Sequence, residues 1–326
     1  MFNTSKDQSV EEICFDSTHV KNVVAELKSN FDSYFHLFIE TSAGIIPSSD
    51  SFFKLSQKFE TSPITANRNF SESFKNIFAK SIDAFEKDRE KYIRIFDADI
   101  LEEYEDDPAT FKSVVLRNEC PIIHGTLMAK NAKELDNYRR CFKLSNPNLL
   151  LEVVKNLYNF GKEYSEKSYL KTNYESLENY TELEMHFMDT DSCTYYGVIG
   201  GGIKTLMLYK VYPSLFSSRS KNAIWALYYL TSKKNFGCKM DSEFLIIDIK
   251  HSVTKQNYFY PYELFHYYAY EIFKMLNNKA KDMGVFINPE YRYVIVDAFF
   301  EFITKLHESE ISELSKLFKE DEFNYA

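Results

Sequence analysis

The stretch VKNVVAELKSNFDSYFHLFI, Val20 to Ile39, constrains the fold more than any other part of the chain. Val20, Val23, Val24, Leu27, Phe31, Phe35 and Phe38 recur at intervals of three and four, the spacing that gathers side chains on one stripe of an α-helix. A strand would send neighbouring side chains to opposite faces and scatter this set. The chain must therefore hold at least one long helix, with a partner for an aromatic-rich face. Material for that partner is plentiful. In 326 residues 29 Phe and 24 Tyr stand beside a single Trp, and a 44% apolar content suffices for a sizeable core.

Helical spacing continues through Ser71 to Phe96, with Phe74, Ile77, Phe78, Ile82, Phe85, Tyr92, Ile93 and Phe96 on the packing side. A shorter helix is expected at Phe52 to Phe59, among loops marked by Gly44, Pro47 and Pro63. Asp97 to Asp107 carries seven acids and no base, the composition of a solvated face or charged connection. Pro108 and Pro121 mark restarts, and Asn146 with Pro147 opens the helix LLLEVVKNLYNF. At Glu182 the period changes. ELEMHF alternates Glu182, Glu184 and His186 with Leu183, Met185 and Phe187, and EFLIIDI, Glu243 to Ile249, reads as a second strand. Helices resume at Tyr262 to Lys281, Glu290 to His307 and Ile311 to Phe318. The expected fold is α+β or mixed α/β, with a mostly helical region at 1–175 and a sheet-containing region at 176–326.

Charge is uneven along the chain. The net formal charge is −9, yet Ser192 to Met240 contains no Asp or Glu and carries Lys204, Lys210, Arg219, Lys221, Lys233, Lys234 and Lys239. Phosphate recognition combines such cations with small hydroxyl side chains and helix N-termini. Ser217, Ser218, Arg219, Ser220 and Lys221 bring that combination to the start of a helix through Ala223, Ile224, Leu227 and Tyr228. Lys204, Ser218, Arg219, Lys221, Lys233 and Lys234 are accordingly the candidate nucleic-acid or anion-binding residues. The aromatic run from Tyr258 to Tyr262 would join them only by facing the same cleft.

The same window opens on a glycine run, GVIGGGIKT from Gly197 to Thr205. A nucleotide-binding P-loop places its Lys directly after the last Gly, whereas here Ile203 intervenes before Lys204. The run reads as a turn or as another kind of anion-contacting loop.

Metal-dependent phosphodiester cleavage needs carboxylates to hold a hard cation and a nearby positive group. In MDSEFLIIDIKH, Asp248 and Lys250 stand two residues apart and share a strand face, with Asp241 upstream. This short segment resembles the acidic-x-Lys half of the PD-(D/E)xK nuclease family. The resemblance implies Asp241 and Asp248 as metal-holding acids, Lys250 as the catalytic lysine, and Mg or Mn as cofactor. Asp241 lacks the preceding Pro of that family and lies close to Asp248, so Asp189 or Asp191 is an alternative first acid and Glu184 an upstream contributor. A second metal grouping is Glu184, His186, Asp189, Asp191 and Cys193, without the paired spacing of a zinc motif.

Cys14, Cys120, Cys141, Cys193 and Cys238 are odd in number and far apart, which argues for reduced thiols rather than a disulfide framework. Met1 to Val10 has no apolar signal core, and no run approaches the roughly 18 apolar residues of a membrane span. A cytoplasmic protein without membrane partners is expected. Its expected function is nucleic-acid or phosphoanion binding, on DNA or RNA, with Mg-dependent nuclease activity. The alternative is a non-enzymatic protein-interaction or regulatory module with a protein partner or a homo-oligomer.

Overall fold

The computed structural model describes residues 10–42, 70–168, 174–236, 243–248, 253–257 and 260–316. The expected helix at Phe52 to Phe59, and the candidate residues Asp241 and Lys250, lie outside them. Helix α1 (Ser17–Ser42) buries Val20, Val23, Val24, Leu27, Phe31, Phe35 and Phe38, as the three-four spacing requires. Asp16 opens it by accepting the Thr18 and His19 amides at 2.9 and 3.0 Å. Helices α2 (Phe70–Glu86) and α3 (Arg89–Ile95) divide the next periodic stretch at Lys87 and Asp88. The acidic run forms α4 (Ala98–Glu103), capped by Asp97.

Proline then sets the helix starts, because its missing N–H costs nothing in a first turn. Pro108 leads into α5 (Phe111–Glu119), a π-helical segment, and Pro121 opens α6 (Pro121–Met128). Helix α7 (Asp136–Leu144) precedes α8 (Pro147–Glu163), where Pro147 follows an Asn146 cap as expected. The glycine run turns the chain into α9 (Gly201–Val211), and α10 (Lys221–Leu230) begins at a Ser220 cap. Strands β1 (Leu245–Asp248) and β2 (Val253–Gln256) come next. Helices α11 (Tyr262–Asp282), α12 (Arg292–Leu306) and α13 (Glu308–Lys316) complete the described chain.

The expected α+β or mixed α/β architecture does not form: the protein is overwhelmingly helical. Glu182 to Phe187 divides between two 3-10 turns, Tyr180–Leu183 and His186–Asp189. Local chemistry explains the difference. Asn179 accepts the Thr181 amide while the Glu182 carboxylate accepts the Asn179 amide at 2.9 Å, a reciprocal cap that winds the chain. Glu184 then sits at φ 51, which breaks any extended path. EFLIIDI does extend, but β1 pairs only with β2, antiparallel, with Leu245 opposite Gln256 and Asp248 opposite Val253. Among the described residues this ribbon of two short strands is the only sheet. A PD-(D/E)xK nuclease is built on a central sheet, so the resemblance fails at the level of the fold.

The chain forms two compact units, each assembled from separated stretches: Met1–Ser81, Ser220–Tyr260 and Tyr268–Ala326 in one, Ile82–Arg219 and Pro261–Tyr267 in the other. In the first, α10 is buried on every side from Ala223 to Leu230, the pattern of a helix inside a core. It lies against α1 and α12, and the ribbon rests on it as well. The α1 stripe finds its aromatic partner in α12, where Phe299 meets Phe31 and Phe38 at ring separations of 5.5 and 5.4 Å. Each such ring contributes about 1.5–3 kcal/mol by leaving water. In the second unit, α8 buries Leu150, Leu151, Val153, Val154 and Leu157 among α5, α9 and the 191–193 turn. Among the described residues no helix is long and apolar enough to cross a membrane.

Candidate functional site

The acid-free window divides between the two units, and most of its cations are engaged by the fold. In the second unit, Lys204 is 3% exposed and donates to the Met188 carbonyl and, at 2.8 Å, to Thr194 Oγ1. Burial lowers its pKa, while Asp189 opposes that shift. Lys210 donates to the Phe85 carbonyl at 2.7 Å and to Asp88 at 2.5 Å. Arg219 is 2% exposed and packs its Nη2 end against Gly201, where a Cβ would stand 1.9 Å from Nη2. Ser217 and Ser218 are buried, and Ser217 Oγ lies 2.8 Å from His266 Nδ1. In the first unit Lys233 pairs with Glu310 and Lys234 with Glu26, whereas Lys221 is exposed.

The candidate acids separate in the same way. Asp189 keeps a flank open to solvent, but its carboxylate accepts the Tyr262 amide at 2.6 Å and so caps α11. Desolvation raises its pKa, and Arg219, the Tyr262 amide and Lys204 pull it back. Asp191 accepts the Tyr196 hydroxyl at 2.7 Å, and Glu184 and His186 are exposed. Asp248 belongs to β1 in the first unit, whereas Glu184, Asp189 and Asp191 belong to the second. Among the described residues no three His, Cys, Asp or Glu side chains are grouped to hold a metal ion. Together with the lack of a central sheet among the described residues, this overturns the nuclease expectation and the hydrolase chemistry drawn from it.

Two features that the sequence reading passed over stand out instead. The first is a cavity of about 570 Å³ in the first unit, lined by Tyr34 of α1, Tyr229 of α10, and His307, Glu310 and Glu313 at the α12–α13 junction. The Tyr229 and His307 rings stack at 3.6 Å and 4°. Tyr34 Oη lies 2.9 Å from His307 Nε2, and Glu310 faces Nδ1 at 3.6 Å. Tyr34 Oη and His307 Nε2 share one hydrogen bond whose direction follows the imidazole tautomer. Burial pushes the His307 pKa down to about 4, with Glu310 opposing and Lys233 assisting. The imidazole is therefore neutral at pH 7. After α10 the chain closes a Schellman turn, Lys233 N–H to Tyr228 O and Ser232 N–H to Tyr229 O. Ser232 and Lys233 pay for it with φ of 53 and 61.

The second feature is an exposed corner of the other unit. Leu144 ends α7 at 76% exposure, Leu149 lies in the first turn of α8 at 49%, and Tyr196 stands at 67%. The 195–197 turn is held against this junction from both sides. The Asn146 amide donates to Tyr195 Oη at 2.9 Å, and Gly197, at φ 79, approaches Cys141 so closely that a Cβ would meet Sγ at 2.9 Å. The three apolar groups thus flank one junction. Lys112 crosses to it from α5, donating to the Lys143 and Ser145 carbonyls at 3.1 and 2.7 Å, where it closes the C-terminus of α7. Arg140 and Lys143 are exposed beside Leu144 and, among the described residues, neither has an ion-pair partner.

No family model matches the chain, and neither the curated proteins nor the solved structures give a match.

Proposed function

We propose that the protein is a non-enzymatic helical interaction module, the alternative that the helical architecture favours over a nuclease. The observation that carries this reading is the shared placement of Leu144, Leu149 and Tyr196 at the α7–α8 junction. Large apolar side chains gathered on a surface mark contact with another protein more often than side chains exposed singly. Arg140 and Lys143 set the character of the partner: an acidic segment with its own apolar side chains would cover the leucines and neutralise the two cations.

The test is crosslinking in the cells that make the protein, with photoreactive benzoylphenylalanine in place of Leu144 or, as a control, of the exposed Lys87. A discrete adduct with a different protein is expected from position 144 and not from position 87. The double charge reversal R140E/K143E should abolish it while leaving the circular dichroism spectrum unchanged. An adduct that survives charge reversal, or the same adducts from both positions, sinks the proposal; an adduct with a second copy would replace it with self-association.

A further inference from the structure

Helix α13 is attached to the first unit across a void. Ser309, Glu310 and Glu313 on its inner side line the cavity, and Ile311 is the one buried side chain among its described residues. The helix touches the end of α12 and strand β2, and a polar cluster around His307 adds to its hold. Each partner of that imidazole comes from a different element. Tyr34 Oη of α1 lies 2.9 Å from Nε2, the Tyr229 ring of α10 stacks on the imidazole at 3.6 Å, and Glu310 of α13 faces Nδ1 at 3.6 Å. Glu310 also pairs with Lys233 from the turn after α10, and the Tyr229 hydroxyl faces the same carboxylate. The Ile311 amide donates to the His307 carbonyl at 2.9 Å, so this residue is the pivot from which α13 starts.

We infer that α13 is an acid-operated latch, docked while the His307 imidazole is neutral and released when the ring takes up a proton. The groups that face the ring set this balance. Burial and the Lys233 ammonium oppose a proton on it, and Glu310 favours one. Tyr34 of α1 and Tyr228 and Tyr229 of α10 are kept protonated by burial and by the Glu310 charge, so none of them titrates in the same range. Glu313 lines the cavity but is exposed, where solvent screens it. The docked ring therefore takes a proton only near pH 4, against about 6.5 for an ordinary His. An imidazolium also donates from both nitrogens, which forces Tyr34 Oη to accept and turns its own proton away from the ring.

Release of α13 relieves the buried charge with less loss than unfolding the unit. It gives up the burial of Ile311 and the half-exposed Lys233–Glu310 pair, a kind of pair that adds little stability. The aromatic contacts of Phe299 with Phe31 and Phe38 stay in place, because they join α1 to α12. The cavity beside the ring already holds room for water to follow the departing helix. Once hydrated, the ring regains its ordinary affinity for a proton, and acid then favours the released state. The latch belongs to the first unit and does not depend on the interaction surface proposed above, which lies on the second.

Hydrogen exchange of the full-length protein at pH 7 and pH 5, read as protection factors so that the intrinsic pH dependence of exchange cancels, tests the latch. A proton bound near pH 6.5 when released and near 4 when docked predicts about a twentyfold loss of protection over Glu308–Lys316 between the two conditions. Helices α1, α10 and α12 should keep theirs. His307→Gln cannot take up the proton and should protect α13 equally at both pH values. Lys233→Gln removes the opposing cation, so it should narrow the pH response, and it serves as the test if His307→Gln does not fold. Protection of α13 that does not change with pH overturns the inference. An equal loss across α1, α10 and α12 does so too, because the whole unit would then be unfolding. So does an undiminished response in either variant.

Discussion

At position 201 a methyl group has nowhere to go. Arg219 is almost fully buried and its Nη2 stands 1.9 Å from where the Cβ would lie, whereas at Gly202 the nearest atom is 3.6 Å away. Gly201→Ala should lower unfolding free energy by about 1–3 kcal/mol through overpacking. Gly202→Ala, in the same helical turn, should be neutral or stabilising by up to about 1 kcal/mol; paired urea titrations check both. His307 makes the second prediction at this scale. Its folded pKa of about 4 lies below the usual 6.5, so between these values the unfolded chain binds a proton that the folded one refuses. Stability then rises with pH through this window, and acidification from pH 6.5 to 4 should remove up to about 3 kcal/mol. His307→Gln, with no ring to titrate, should show a flatter profile in urea titrations across the same range.

Single elements were legible where a local rule and the tertiary environment agree. Asn146 with Pro147 starts α8 as expected, because cap chemistry acts within one turn. Six alternating residues at Glu182 misled for the opposite reason: the Asn179 cap and the left-handed Glu184 put Leu183, Met185 and Met188 into the core from a pair of tight turns. Alternation over so short a stretch does not distinguish a strand from such turns. The end of α10 offers a prediction at this scale. Ser232 occupies the left-handed position that Gly usually fills in a Schellman turn. Ser232→Val should therefore destabilise by about 1–2 kcal/mol relative to Ser232→Gly, since a β-branched side chain resists φ above zero. Thermal melts of the two variants would show it, and equal melting temperatures would refute the strain.

For the whole molecule, the chain path matters more than the order of helices. The first unit draws on stretches from both ends and the middle of the sequence. Phe31 and Phe38 face Phe299, and His19 Nε2 lies 2.8 Å from the fully buried Glu243. A fragment of residues 1–175 keeps the α1 stripe but loses these partners. It is expected to lack a cooperative thermal transition and to expose apolar surface to a hydrophobic dye, while the full chain melts cooperatively. A sharp melt of the fragment would contradict the interleaved core.

Several things followed from the sequence alone: the α1 stripe, the proline-led helix starts, the aromatic character of the core and the failure of the P-loop pattern at Ile203. Each rests on interactions within a few residues, where spacing and backbone chemistry suffice. Tertiary structure alone decided where the charges of the basic window go. Lys204 and Arg219 became buried neighbours of Asp189, and Lys233 met Glu310 from 77 positions away. It alone brought Tyr34, Tyr229 and His307 around one cavity, and Leu144 and Tyr196 to one corner. Composition counts charges and rings, but their partners are fixed by packing between distant segments, which no local spacing encodes.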